Sequence, residues 1–336
     1  MDEVIDYLFI GGMREDYCIT HDGKVHLGVL GGNAIYAASG ARLWSSSVGI
    51  VSRVGSNYPH EWLDLIQSHG INVRGIKILS EEMDTRNFYV YVSEEERIDT
   101  NPAAHFLRIG HPLPKELMDY QSSTEGQSER TNFTPIAIRP DDLLHQGSYA
   151  RAAHISPSHY LSHITIPVRL RELMIRLITL DPSERYMEPG YKDELPVILH
   201  GLDVFLPSES EARAFFRPNQ LDVWEMAEAF GEMGCRVVII KCGNSGQFIW
   251  DRASEKRWHI PAYPAKVVDV TGAGDAFCGG FLVGYDRTTD PVEAALMGSI
   301  SASITIEGIG PLYLLGAAPD LAEVRMEALR SSVREL

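Results

Sequence analysis

The residues best placed to do chemistry lie in one block, Asp269-Val270-Thr271-Gly272-Ala273-Gly274-Asp275. Gly272 and Gly274 let the backbone turn tightly and keep side chains clear of it. The residues that follow carry helical spacing. Ala276, Gly280 and Gly284 fall at i, i+4 and i+8, beside a bulkier stripe of Phe277 and Phe281. A helix starting here aims unpaired N–H groups and its positive dipole end at the glycine turn. That makes an anion site suited to phosphate. Two readings fit Asp275 at its mouth: an ordinary acid of the first helical turn, or a general base beside a phosphate nest. No Lys-Ser/Thr pair follows the glycines, which excludes a Walker A loop. Phe277 stands where a dinucleotide fingerprint needs its third glycine.

The elements that must position this block alternate along the chain. A first strand, Val4 to Ile10, ends at Gly11-Gly12. Strand-like runs at Tyr17 to Thr20 and Lys24 to Leu27 flank Asp22-Gly23, a hairpin signal. Gly31-Gly32-Asn33 opens a small-residue helix from Ala34 to Leu43. A strand at Ser47 to Val54, a helix at Pro59 to Ser68 and a strand at Val73 to Ile78 predict βαβ units and a largely parallel sheet. Asp84-Thr85-Arg86 leads into a strand at Asn87 to Val92. Residues 93–140 carry little pattern, and Gln121 to Asn132 reads as an exposed polar loop.

Strands resume at Ala152 to Ser156, Leu177 to Leu180, Asp203 to Leu206, Val237 to Lys241 and Phe248 to Trp250, with a helix predicted at Pro167 to Arg176. Asp290-Pro291-Val292-Glu293 is a helix start, and a last helix is predicted from about Ala318 to Arg334. His154, His159 and His163 lack ligand spacing and an acidic partner, so they read as structural.

Composition narrows the class. The chain has 336 residues, 44% hydrophobic and 23% charged, enough for a full core. Its net charge of −16 argues against nucleic acid and anionic membranes as partners. Cys18, Cys235, Cys242 and Cys278 show no CxxC spacing and read as reduced thiols, which together with the absence of a secretion signal predicts a cytoplasmic protein. No apolar run reaches membrane-spanning length.

The Asp269–Asp275 block resembles the C-terminal signature of the ribokinase-like (PfkB) carbohydrate kinases. The resemblance spans almost the whole chain. It implies a three-layer α/β fold, a mainly parallel central sheet flanked by helices, formed as a single domain over 1–336. A small β-lid is expected from segments near 12–30 and 84–92, with an insertion at about 93–140. In that family the glycine turn, here Gly272, Ala273 and Gly274, forms an anion hole for the transferred phosphoryl group, and the final Asp, here Asp275, is the base.

The resemblance carries further residues with it. Gly11-x4-Asp16 matches a strand-end motif whose Asp binds sugar hydroxyls, and Gly31, Gly32 and Asn33 match the Gly-Gly helix start. Tyr36 stands where the family usually has Asn. Arg86 matches a Thr-Arg lid strand facing the substrate. Asp181-Pro182-Ser183-Glu184-Arg185 resembles Asp-Pro-Asn-x-Arg, which makes Arg185 a phosphate ligand. Ser208 and Glu211 match Asn-x-x-Glu of the magnesium and phosphate network, and also form a Ser-x-x-Glu capping box. Lys241, Gly243 and Gly246 match the Lys-x-Gly-x-x-Gly turn along the nucleotide. Thr271 lies in the phosphate turn, and Ser299 falls near adenine contacts.

The implied reaction transfers the γ-phosphoryl of MgATP to a hydroxyl of a small sugar, sugar acid or nucleoside. A potassium ion held at Asp269 and a homodimer joined through the lids are further implications. The rival classes are a catalytically weak nucleotide-binding or regulatory protein of the same fold, motivated by Ser183, Ser208 and Tyr36, and a nicotinamide oxidoreductase.

Overall fold

The computed structural model describes residues 5–93, 97–143, 150–318 and 320–336. Val4 therefore falls outside the described residues. Among the described residues, fourteen strands form two sheets. In chain order they are β1 (Tyr7–Ile10), β2 (Arg14–Ile19), β3 (Val25–Gly31), β4 (Val48–Val54), β5 (Ile71–Ile78), β6 (Arg86–Tyr91), β7 (Arg97–Ile98), β8 (Ala152–Ile155), β9 (Leu177–Leu180), β10 (Val204–Phe205), β11 (Val237–Lys241), β12 (Gln247–Asp251), β13 (Lys256–Ile260) and β14 (Arg334–Glu335).

The large sheet runs β14-β13-β12-β11-β10-β9-β8-β1-β4-β5. From β5 to β11 every pairing is parallel, and the β12–β14 edge is antiparallel. β1, β4, β8 and β9 are buried at every position, as expected of strands covered on both faces. One apolar layer joins the sheet to helices Asn33–Arg42, Ala273–Thr288 and Pro291–Thr305. Another joins it to helices Tyr160–Glu172 and Val223–Glu232. The small residues expected to form a packing face do so. A Cβ on Gly280 or Gly284 would press on Met297 or Ala294, and one on Gly279 would overlap the Ala37 carbonyl.

The second sheet is the lid, ordered β3-β2-β6-β7. β2 and β3 form the expected hairpin, while β2 and β6 pair in parallel with Asp16 opposite Asn87. Alternation then gives the lid two faces. Asp16, Cys18, Asn87, Tyr89 and Tyr91 face the large domain. Tyr17, Ile19, Phe88 and Val90 face outward, onto Phe106 and Leu117 of the following segment. That segment, which the sequence leaves without pattern, forms helix Pro102–Arg108 and folds back over the lid.

The polar stretch Gln121 to Asn132 is the largely exposed loop expected, pinned at one buried residue: Gln127 accepts from Ser183, and its carbonyl accepts from the Tyr160 amide at 2.7 Å. Two expectations change. The helix expected at Pro167–Arg176 runs Tyr160–Glu172 instead, with Pro167 inside it and His159 as its cap. The last helix spans only Leu321–Arg330, and Arg334–Glu335 adds the edge strand β14. The histidines are structural. His154 bonds Thr179, His163 bonds Tyr186 and the Ser156 carbonyl, and no group of three potential metal ligands occurs among the described residues.

Candidate active site

The cleft between lid and large sheet is built on helix Ala273–Thr288, with Gly272 as its N-cap. Gly272 has φ 72°, a left-handed turn. It also lies flat against the ring of Tyr36, which an added Cβ would overlap. Glycine is thus required twice at this position. Asp269 shapes the turn, its Oδ1 accepting from the Thr271 amide at 2.9 Å and hydroxyl at 2.6 Å. The Thr271 oxygen in turn accepts from Tyr91 at 3.1 Å, tying the lid to the turn.

Asp275 occupies the third position of the helix without capping it; no side-chain bond closes that end. Burial pushes its carboxyl up to about 7, against the pull of Lys241 and Arg97 and with Glu211 and Asp16 adding to the rise. On the lid side, Asp16 is held by Asn87 and Tyr89, each at 3.2 Å. Burial raises it to about 6 despite those two bonds and the charge of Arg14. Gly31 leaves it room, since a Cβ there would overlap the Asp16 carboxylate.

Beneath the turn lies a charged cluster. Lys241, at the end of β11, pairs with Asp181 and approaches the Cys278 sulfur at 3.7 Å. A Cβ on Gly274 would stand 3.5 Å from Lys241 Nζ. Burial pulls the lysine down, but Asp181, Cys278 and Glu211 outweigh it and hold Lys241 protonated. Glu211 sits inside the capping box of helix Glu209–Phe215, accepting from the Ser208 amide at 2.8 Å and hydroxyl at 2.6 Å. Burial, then Asp181, raises its carboxyl, opposed by Lys241. Ser208 and Glu211 thus form the capping box expected of their spacing, with Glu211 also facing Asp181 and Lys241.

Other expected site residues are engaged elsewhere. Arg86 is not turned toward the cleft: the period-two alternation of β6 places it opposite Glu15, on the outer face, where it pairs with Asp84 at 2.6 Å and bonds the Glu116 carbonyl. Asn33 is a clamp, accepting from the Gly12 amide at 2.8 Å and donating to the Pro157 carbonyl at 2.6 Å. Arg185 anchors the docked segment through Asp99 at 2.7 Å and Thr124 at 2.8 Å. Ser299 is buried, bonded to Gln247 and the Ala295 carbonyl. Gly243 and Gly246 shape the turn after β11, both at positive φ.

The sequence reading missed Asn87, Tyr89 and Tyr91. The signal was present: in Arg86-Asn87-Phe88-Tyr89-Val90-Tyr91 the polar and phenolic residues alternate with apolar ones, which defines the inner face. Asp181 was read only as part of a motif, not as the partner of Lys241.

Comparison with known proteins decides the family. The model described as pfkB family carbohydrate kinase matches residues 171–315. A ribokinase of Lactococcus lactis is 31% identical over 93% of this chain and 86% of its own length. The chain belongs to the PfkB family of carbohydrate kinases. A cytidine kinase of Thermococcus kodakarensis is 28% identical over 88% of this chain and 94% of its own. Among solved structures, the Burkholderia thailandensis nucleoside kinase in complex with inosine superposes with TM-score 0.67 at 17% identity, covering 97% of this chain and 99% of that one. This PfkB family member thus has the ribokinase fold and is a phosphotransferase acting as a sugar or nucleoside kinase. That answers the oxidoreductase alternative. No helix among the described residues is long and apolar enough to cross a membrane.

Proposed function

We propose that the chain transfers the γ-phosphoryl of MgATP to a hydroxyl of a small sugar, sugar acid or nucleoside, with Asp275 as general base. One observation carries this reading: a carboxylate raised to about 7 stands beside a left-handed glycine turn at a helix N-terminus and feels the charge of Asp16 across the cleft. Asp16 orients the acceptor and Asp275 removes the proton of the attacking hydroxyl. The amides of Gly272, Ala273 and Gly274, with Lys241 beneath them, stabilise charge on the transferring group. Retention of this base also argues against the weakly catalytic alternative.

The cluster fits a magnesium ion held largely by the nucleotide. Asp181, Glu211 and Asp275 face one another against Lys241, with Arg97 a further cation acting on Asp275, and three carboxyls against two cations leave an excess of negative charge. Magnesium is typically bound by one or two carboxylates together with substrate phosphates. Glu211 and Asp181 would hold it through water; when bound, it neutralises charge on the phosphates. ATP lies along the Lys241–Gly246 turn in this reading.

The pH profile tests the base. Asp275 acts only when deprotonated, so kcat/KM should climb with rising pH through about 7 and then level off. A profile flat from pH 5 to 9 contradicts the assignment.

Potassium is part of the same reading. Asp269 is buried yet has no cationic side chain within ion-pair distance among the described residues. The carbonyls of Thr305, Gly308 and Gly310 are the further ligands proposed. Initial rates should be higher in potassium than in tetramethylammonium at equal ionic strength; equal rates leave Asp269 as the internal cap of its turn.

The homodimer proposal narrows. The outer lid face is already covered by Phe106 and Leu117, so an association would use the open edge of β3. Light scattering at micromolar concentration should show a dimer, and a monomer removes this part of the account.

A further inference from the structure

The acceptor side of the cleft holds a cation that the reaction above does not use. Arg14 and Asp16 lie at i and i+2 of β2 and so share the inner face of the lid sheet. Arg14 is only 9% exposed. Its guanidinium folds back over Gly12, where an added Cβ would come within 2.9 Å of Cζ. The hydrogen bond it makes runs to the neighbouring Met13 carbonyl at 3.2 Å. No carboxylate comes within ion-pair distance of it among the described residues. The acids that face it are committed: Asp84 to Arg86, and Asp16 to Asn87 and Tyr89.

Held by one carbonyl and facing no carboxylate at ion-pair distance, the guanidinium has no direct counter-ion among the described residues and keeps donors able to take a ligand. Hydroxyls around it lack partners. The hydroxyl of Tyr58, which faces both Arg14 and Asp16, is buried without a partner, and so is that of Ser123. Ser123 and Gln127 join Gly12, Arg14, Ser158 and His159 around a cavity of about 10 Å³, room for one water or one oxygen of a larger ligand. A neutral hydroxyl there would satisfy a donor and leave the charge unpaired. An anionic oxygen satisfies both.

We propose that the acceptor carries an anionic group, a carboxylate or a phosphate, and that Arg14 binds it while Asp16 takes the hydroxyls. The substrate class is then an anionic polyol, a sugar acid or sugar phosphate, and not a neutral sugar or nucleoside. This rests on the kinase reading of the cleft and assigns Arg14 the choice among acceptors.

The test uses matched pairs, D-glucose with D-gluconate and D-ribose with D-ribose 5-phosphate, at saturating MgATP with ADP release as readout. In the wild-type protein the anionic member of at least one pair should exceed its neutral partner in kcat/KM by about 10²-fold or more, since a site built to pair a polar group rejects an analogue lacking it. Preference for gluconate identifies a carboxylate, and preference for ribose 5-phosphate a phosphate. Arg14→Met should bring that ratio close to one, and Arg14→Lys should restore part of it. Should the Met variant not fold, Arg14→Lys and Ser123→Ala report the same ratio, and no change in either overturns the proposal. So does preference for the neutral members.

Thermal shift separates the two readings. Turnover of neutral acceptors that Asp275→Asn abolishes leaves the kinase reading standing without the anion site. Stabilisation by gluconate or ribose 5-phosphate that disappears in Arg14→Met, with no turnover of any acceptor, leaves the anion site standing and overturns phosphoryl transfer. No stabilisation and no turnover overturns the proposal.

Discussion

Asp275→Asn should lower the rate of phosphoryl transfer by roughly 10²–10⁴, the range for loss of a general base, while ATP binding stays close to that of the wild-type protein. The substitution keeps the size of the side chain and adds no charge. It removes only the ability to accept a proton. Because the Asp275 carboxyl is raised to about 7 by burial, a neutral amide suits its surroundings and the fold should tolerate it. The helix does not depend on this side chain for capping either, since none of its bonds closes the N-terminus. A stability loss is therefore not expected to mask the kinetic effect. The pair to measure is single-turnover rate and nucleotide affinity; a variant with near-normal turnover of its acceptor removes Asp275 from the chemistry.

The second large effect is expected at Gly272→Ala. A left-handed conformation costs an L-residue about 1–2 kcal/mol, and here the new methyl also meets the Tyr36 ring. Either the ring yields or the turn does. If the turn moves, its amides no longer point at the transferring phosphoryl group, and loss of one such donor alone costs on the order of 10²–10³ in rate. The expected outcome is a rate loss of that order together with a melting temperature lower by a few degrees. Tyr36→Ala should be less damaging in the Gly272→Ala background than in the wild-type protein, because the clash is gone; that coupling is read from a double-mutant cycle. Additive effects would mean that the ring and the turn are not in contact. Tyr36, which stands where the family usually has Asn, thus backs the glycine turn with its ring.

The legible part of this protein was local. The glycine turn, its helix and Asp275 are contiguous in sequence, so their spacing alone describes this turn and the helix start that follows it. Asp16 follows from a short motif at the end of one strand. The parallel sheet follows from alternating strand and helix patterns. What could not be read was decided by contacts between distant segments. Tyr91 meets Thr271, Lys241 meets Asp181, and Ser183 meets Gln127, each pair far apart in the chain. No local spacing encodes such pairs.

Arg86 departs from its motif, because the alternation of β6 sends it outward and its neighbour Asn87 inward. Asn33 has structural partners that its motif does not indicate: its amide joins the β1–β2 turn to the Pro157 carbonyl, while keeping a second lone pair and a second N–H. The Pro157 partner lies 124 residues away, so no local spacing announces it. The exposed-loop reading of Gln121–Asn132 holds for most of the stretch, but no local pattern marks Gln127, which is buried against Ser183.

Transfer of a phosphoryl group from ATP onto a carbon-bound hydroxyl is followed with γ-³²P-labelled ATP, magnesium and a panel of sugars, sugar acids, sugar phosphates and nucleosides, the label being traced by chromatography. Labelled acceptor is expected from at least one member of the panel, formed by the wild-type protein and not by Asp275→Asn. Label released only as inorganic phosphate, or equal labelling of an acceptor by both proteins, overturns phosphoryl transfer by Asp275.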